Sequence, residues 1–409
     1  MSLAQPARQA SFPLFIAGLS LKQIIAWGTT FYLPSILERQ IAAELGLSRE
    51  VIFGGVTVML LVAAMIAPAA GRHIDARGAR RPMIAGALSL SFGLALLALA
   101  QGPLGYLAAW VFFGLAVPLT MSVAAFAAVA QAFPERGRAG ITTLMLFGGL
   151  SSGVMYPITG WLDAHYGWRA TCMIYAALQL AVALPVGHLL IRGADAPGLG
   201  ARAQGAVQPR LAAADRGRAF WLLVTGTGVS GIVSWGLPLY FVPMFREAGL
   251  SASAAILLGA SQAYFTLFAR LLDLSVSARL GGMRLVSAAS LLAPPCFLLM
   301  IWGVQAEAGS RWPLWALAVG TAVYGFAAGL IAAGRATLPL ELFGSGGFAA
   351  MLGRLSLFLN LMFAVSPLLF AVVYDALGSA VALTLALILS LLAAIAFWRL
   401  DGLVGPHSR

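Results

Sequence analysis

Charge is what this chain has least of. Only 10% of its 409 residues are charged, and a single lysine, Lys22, stands against twenty-four arginines. Soluble domains carry roughly 25% charged and 45–50% apolar residues; here the apolar share is 61% and the mean hydropathy +0.91. A soluble globular chain is excluded, and a polytopic membrane protein is expected. Cysteine is nearly missing: Cys172 and Cys296 lie in separate apolar runs, which supports neither a disulfide framework nor a cysteine metal cluster. Both read as packing residues. Phosphate-binding loops, His-Glu-x-x-His and dinucleotide fingerprints are also absent, so neither ATP-driven transport nor an enzyme is expected, and no cofactor or metal. The net charge of +11 raises nucleic acid as a partner, but the arginines are scattered over short loops, which membrane topology explains better. No cleaved leader is expected, because Met1–Ser11 runs straight into an apolar stretch with no small-residue cleavage site.

What the chain does have is apolar runs, twelve of them: 13–37, 51–70, 83–101, 104–130, 140–161, 169–191, 219–244, 252–277, 283–303, 313–334, 348–372 and 379–398. Each approaches the length of a helix that crosses ~30 Å of hydrocarbon. An even number puts both termini on one side. With that side cytoplasmic, eighteen arginines, Arg335 among them, fall inside and five outside, the asymmetry of the positive-inside rule. Arg192–Arg218 is rich in Gly, Ala, Pro and Arg without apolar periodicity and reads as a linker. It divides the chain into 1–191, 192–218 and 219–409.

The two halves repeat. Trp27-Gly28-x-x-x-Tyr32 recurs 208 residues on as Trp235-Gly236-x-x-x-Tyr240, and Gly46-Leu47-Ser48 recurs 203 on as Gly249-Leu250-Ser251. Between the second and third runs lies Gly71-Arg-His-Ile-Asp75-Ala-Arg77-Gly78-Ala-Arg80-Arg81. This loop resembles the signature between helices 2 and 3 of the major facilitator superfamily of secondary transporters. The resemblance implies an all-α membrane protein of twelve transmembrane helices in two pseudo-symmetric six-helix halves, with substrate bound near the midplane. It also implies a conformational latch of Gly71, Asp75, Gly78 and Arg81, in which Asp75 packs against helix ends and loop arginines. A decayed copy sits between the eighth and ninth runs, where Gly281 and Arg284 remain but Leu274 and Ala278 replace the glycine and aspartate.

Ionisable groups at membrane depth are costly and mark pathways or partners. Lys22 lies ~15 Å into the first run; it either snorkels to the headgroups or faces a cavity. Arg270 lies in the eighth run with Asp273 three residues on, the spacing of one helix face. The two either form a structural pair, or Arg270 holds a carboxylate or phosphate with its planar fork while Asp273 orients it or carries a proton. An arginine at this place also resembles the one in the oxalate/formate and monocarboxylate porter branches. Trp27 and Tyr240 either belong to an interfacial aromatic belt or line the pathway, and Gln262, close to the face of Arg270, and Asn360 are the polar residues expected to meet substrate. The arginine of the facilitator drug exporters' fourth helix is missing, since Trp110-Val-Phe-Phe113-Gly114 stands there.

The expectation is a transporter in the inner membrane of a bacterium, multi-pass, with both termini cytoplasmic. It moves a small organic anion, a carboxylate, by alternating access, with a proton or a counter-anion as coupling partner. Efflux of an amphiphilic toxic compound is the alternative, and a non-transporting receptor on the same fold is a third.

Overall fold

The computed structural model describes residues 11–189, 207–306 and 312–404. Among these the chain is helical throughout, without a strand. In chain order the helices are α1 Phe12–Gly28, α2 Pro34–Leu45, α3 Arg49–Arg77, α4 Arg80–Ala98, α5 Pro103–Ala116, α6 Val123–Ala132, α7 Gly137–Gly149, α8 Ser151–Leu178, α9 Leu184–Leu189, α10 Arg216–Gly236, α11 Phe241–Glu247, α12 Ala252–Leu280, α13 Gly282–Gln305, α14 Trp312–Phe343, α15 Phe348–Leu377 and α16 Ser379–Val404. Ten stretches are long and apolar enough to cross a membrane. One of them, Pro134–Val186, is broken by Gly167 at φ 77°, which makes room for two crossings, and the apolar α1 of seventeen residues lies outside the ten. The count is consistent with twelve.

Packing divides the chain into two compact units. The first is Met1–Gln208 with Gly344–Asn360, the second Pro209–Phe343 with Leu361–Arg409. The start of α15 therefore belongs to the first unit. Of the expected linker, 192–206 lies outside the described residues; α10 already begins at Arg216, and the carbonyl of Val207 accepts from the N–H of Ser345 at 3.1 Å.

Two apolar runs are not single helices. The run 13–37 breaks after Gly28, and 219–244 breaks after Gly236, where Leu237–Tyr240 forms a 3₁₀ turn. Each break falls at the repeated Trp-Gly pair and just ahead of a proline, Pro34 or Pro238, which supplies no backbone N–H. Hydropathy does not register such a break, because the turn residues are themselves apolar. The run 104–130 is interrupted as well: Pro118 sits in a π-turn, Val117–Met121, between α5 and α6, a widening that a missing N–H favours.

Elsewhere the repeat is carried into geometry. α3 and α12 each have 29 residues. Ser48 caps one by accepting from the N–H of Val51 at 3.4 Å, and Ser251 caps the other by accepting from Ala254 at 3.3 Å, satisfying a donor the helix start leaves over. Gly78 and Gly281 end them at φ 81° and 82°, a left-handed conformation that glycine adopts without steric cost.

A second repeated device lies beside those caps. Both copies read Glu-x-Gly-Leu-Ser, Glu44 to Ser48 and Glu247 to Ser251. In the first unit the Glu44 carboxylate accepts from the Trp168 indole and from Arg169 Nε at 2.6 Å, just past the Gly167 break. Arg169 also donates to the carbonyls of Ala98 and Ala100 beyond α4, the latter at 2.8 Å. The hydrogen bond from Arg169, and after it that from Trp168, holds the Glu44 carboxyl below the usual carboxylate range. In the second unit Glu247 accepts from the hydroxyls of Tyr374 and Ser379, on either side of Gly378 at φ 81°. Each unit thus carries a carboxylate clasp joining the end of one short helix to the turn between two long ones.

Candidate functional site

The signature loop shows why its residue types stand where they do. Asp75, in the last turn of α3, accepts from the backbone N–H of Ala349 at 3.0 Å and of Ala350 at 2.7 Å. These are the second and third residues of α15, whose first N–H groups have no partner within the helix; a carboxylate there also meets the positive end of the helix dipole. Backbones must come close for this. A Cβ on Gly71 would enter the carbonyl oxygen of Ala349, and one on Gly353 would enter that of Ala67. Gly78 then turns the chain out of α3. Arg81 is exposed, and the two helix N–H groups, not the loop arginines, are the hydrogen-bond partners of Asp75 among the described residues. All of these groups lie within the first unit.

The polar side of α1 is in the same unit. Lys22 is only 1% exposed, and its ammonium donates to the carbonyl of Met83 at 3.3 Å. Met83 is the fourth residue of α4, so the head of Lys22 ends close to the signature loop, enclosed by protein, and not in an open cavity. No carboxylate among the described residues pairs with it. Next to it, buried Gln23 donates to the carbonyl of Met121 at the end of the π-turn, and Gln179 donates to Thr29 Oγ1 at 2.9 Å. Trp27 is half-buried at the end of α1, edge-on to Phe31 at 5.9 Å. Asn360 is half-buried in the first unit's share of α15.

The second unit holds Tyr240, Gln262, Arg270 and Asp273. Tyr240 donates to the carbonyl of Pro367 at 3.3 Å and packs on Tyr374 at 5.2 Å. Gln262 donates to Thr266 Oγ1 at 3.3 Å, which donates in turn to the Gly325 carbonyl at 2.9 Å. Asp273 is 2% exposed, and Arg270 is half-buried. α12 and α14 lie side by side in close contact, for a Cβ on Gly325 would meet the Gln262 backbone and one on Gly329 the Thr266 backbone. Both contacts step 63 residues, and the same step carries Arg270 to the level of Ala333, within two residues of Arg335.

Arg335 stands at the end of the expected run but inside a helix. The expected run ended at 334, whereas α14 continues to Phe343, eight residues beyond Arg335. The signal was in the sequence, since Ala336-Thr-Leu-Pro-Leu340 goes on being apolar. The guanidinium of Arg335 lies over the Phe363 ring at 5.2 Å, and Phe363 stacks on Trp235 at 5.1 Å with the planes 9° apart. Arg270 is near enough for the two like charges to act on one another. Among the described residues no three His, Cys, Asp or Glu side chains gather as a metal site.

No curated protein matches the sequence. Among solved structures, the human organic anion transporter MFSD10 (TETRAN) superposes with a TM-score of 0.69 at 19% identity, over 94% of this chain and 98% of that one, a likeness of fold. The sequence profile of the Major Facilitator Superfamily matches residues 23–310. With the signature loop, the repeated halves and an all-helical membrane architecture in agreement, this chain belongs to the Major Facilitator Superfamily.

Proposed function

We propose that this protein is a secondary transporter that moves a small organic anion, a carboxylate, across the inner membrane of a bacterium by alternating access. Both termini are cytoplasmic, 1–191 and 219–409 act as the two halves, and 192–218 joins them. The observation that carries the reading is Lys22, an ammonium enclosed among apolar helices with one neutral carbonyl as acceptor. A buried charge in that condition is costly, and an anion that relieves it for part of the cycle gives the lone lysine of the chain a purpose. Arg270 and Asp273 in the second unit supply the cation proposed to hold the carboxylate and the acid proposed to orient it or to carry a coupling proton. The organic anion transporter of the same fold agrees with this substrate class. Asp75 is the proposed latch: its cap on α15 holds one conformation, and releasing the cap accompanies reorientation.

Uptake of labelled carboxylates into sealed vesicles tests the reading. Wild-type protein is expected to carry at least one of them, and Lys22→Gln to weaken its binding by about 2–5 kcal/mol, the cost of truncating one partner of a buried charge pair. Carboxylate transport unaffected by Lys22→Gln, or export of amphiphilic cations without carboxylate transport, would overturn it.

A further inference from the structure

Arg335 has no counterpart in the carriers of charge considered so far. It lies twenty-three residues into α14 and eight from its end, and it is half-buried. Its neighbours account for its place but not for its donors. The guanidinium carbon of Arg335 lies over the Phe363 ring, and Phe363 is held in turn by Trp235 and by Gly231, where a Cβ would collide with the Phe363 ring. Such a cation–π contact supplies no oxygen acceptor for the five N–H groups of the guanidinium. Among the described residues none of the five has an acceptor, and the one charge that acts on Arg335 is a second cation, Arg270. A structural arginine inside a membrane helix is paired with a carboxylate or with backbone carbonyls. Arg335 rests against Phe363, next to a like charge, with its fork unused.

We propose that Arg335 is an anion-binding residue of the second unit, and that its ligand is the carboxylate of the transported substrate, gripped bidentately by the planar fork. This rests on the organic-anion reading above and deepens it. A carboxylate presents two coplanar acceptor oxygens that match parallel N–H groups of one guanidinium, whereas Lys22 offers a point charge without that geometry. The contact with Phe363 restrains the guanidinium before the ligand arrives, so less side-chain freedom is lost on binding. Arg335 thereby selects for a planar oxyanion, and Phe363 acts as a positioning residue.

Purified full-length protein is titrated with a panel of mono- and dicarboxylates from formate to benzoate, and with inorganic phosphate, reading ligand-dependent thermal stabilisation. Arg335→Gln is expected to bind the stabilising carboxylate roughly tenfold or more weakly, the loss that follows removal of hydrogen bonds to a charged group. Arg335→Lys, which keeps the charge and loses the fork, should recover only part of it, and Phe363→Leu should weaken binding with Arg335 intact. Should the glutamine variant fail to fold, Arg335→Lys and Phe363→Leu carry the test, since each keeps a bulky side chain at its position and each is expected to weaken binding of the carboxylate. Undiminished affinity in Arg335→Gln, or in Arg335→Lys should the glutamine variant not fold, overturns the Arg335 site while the anion reading stands, provided that wild type binds the carboxylate and Lys22→Gln does not. Stabilisation by phosphate alone overturns the carboxylate assignment. No stabilisation of wild type by any anion overturns the anion reading and this inference together.

Discussion

Replacing Asp75 by asparagine tests the cap on α15 with a change of two atoms. The carboxylate accepts from two adjacent backbone N–H groups at 3.0 and 2.7 Å. Asparagine offers one oxygen, which can keep one of these bonds, and turns an NH₂ group toward the other N–H, so that two donors face each other. Hydrogen bonds to a charged acceptor contribute about 1.5–3 kcal/mol each, and a negative charge at a helix N-terminus adds about 0.3–1 kcal/mol. The capped arrangement should therefore lose about 2–4 kcal/mol, a shift of roughly 30- to 1000-fold in the equilibrium between capped and uncapped states. Amide hydrogen exchange reads this directly. Ala349 and Ala350 sit in the first turn, where no intrahelical acceptor protects their N–H groups, so slow exchange there reports Asp75. In Asp75→Asn those two amides should exchange faster by a factor of that order, while amides in the middle of α15 stay as they were, and transport should slow without loss of folded protein. Unchanged exchange at both amides would refute the cap as an energetic element and reduce Asp75 to a bystander.

Two further outcomes are expected. Glu44 has its folded carboxyl held below its unfolded value of roughly 4.3, so the clasp contributes stability above that value and loses it as pH falls through the lower folded one. The melting temperature of wild type should exceed that of Glu44→Gln near neutrality and converge with it in acid; a gap that persists at low pH would show that the carboxylate charge is not what matters. In the second unit, Arg270→Leu should abolish carboxylate uptake, and adding Asp273→Leu should not bring it back. Recovery in the double variant would make Arg270 a mere counter-charge to the buried aspartate.

The broad architecture was legible because hydropathy and the Trp-Gly and Gly-Leu-Ser repeats report directly on apolar helices and on duplicated elements. The ends of helices were not. Gly28 and Gly236 break their helices inside apolar sequence, where the signal is the proline that follows and not a change of polarity. The end of α14 was set short for the converse reason: Arg335 interrupts the hydropathy of the helix without interrupting its backbone hydrogen bonds. Asp75 was legible as a residue that meets a helix end, but the groups it accepts from were not, because two main-chain N–H groups have no letter in the sequence. The clasps of Glu44 and Glu247 stayed hidden since the groups that grip them differ, an indole and a guanidinium in one unit and two hydroxyls in the other. Lys22 stood out by composition alone; its enclosure against Met83 depends on how α1 meets α4, which no spacing within α1 encodes.

That Asp75 is answered by main chain has a genetic consequence. Substituting Ala349 or Ala350 with any residue but proline leaves the donated N–H in place, so defects at these positions should follow the bulk of the new side chain, and only proline should mimic the loss of Asp75 itself. A selection for second-site revertants of an Asp75 defect should for the same reason return no compensating partner at 349 or 350, as an ion pair would by charge exchange. Revertants should instead arise where the helices press together, around Gly71 and Gly353, or at places that destabilise the uncapped state. Small residues can replace one another at the receiving end of this contact without touching the bond to the aspartate, an asymmetry that covariation between positions would miss.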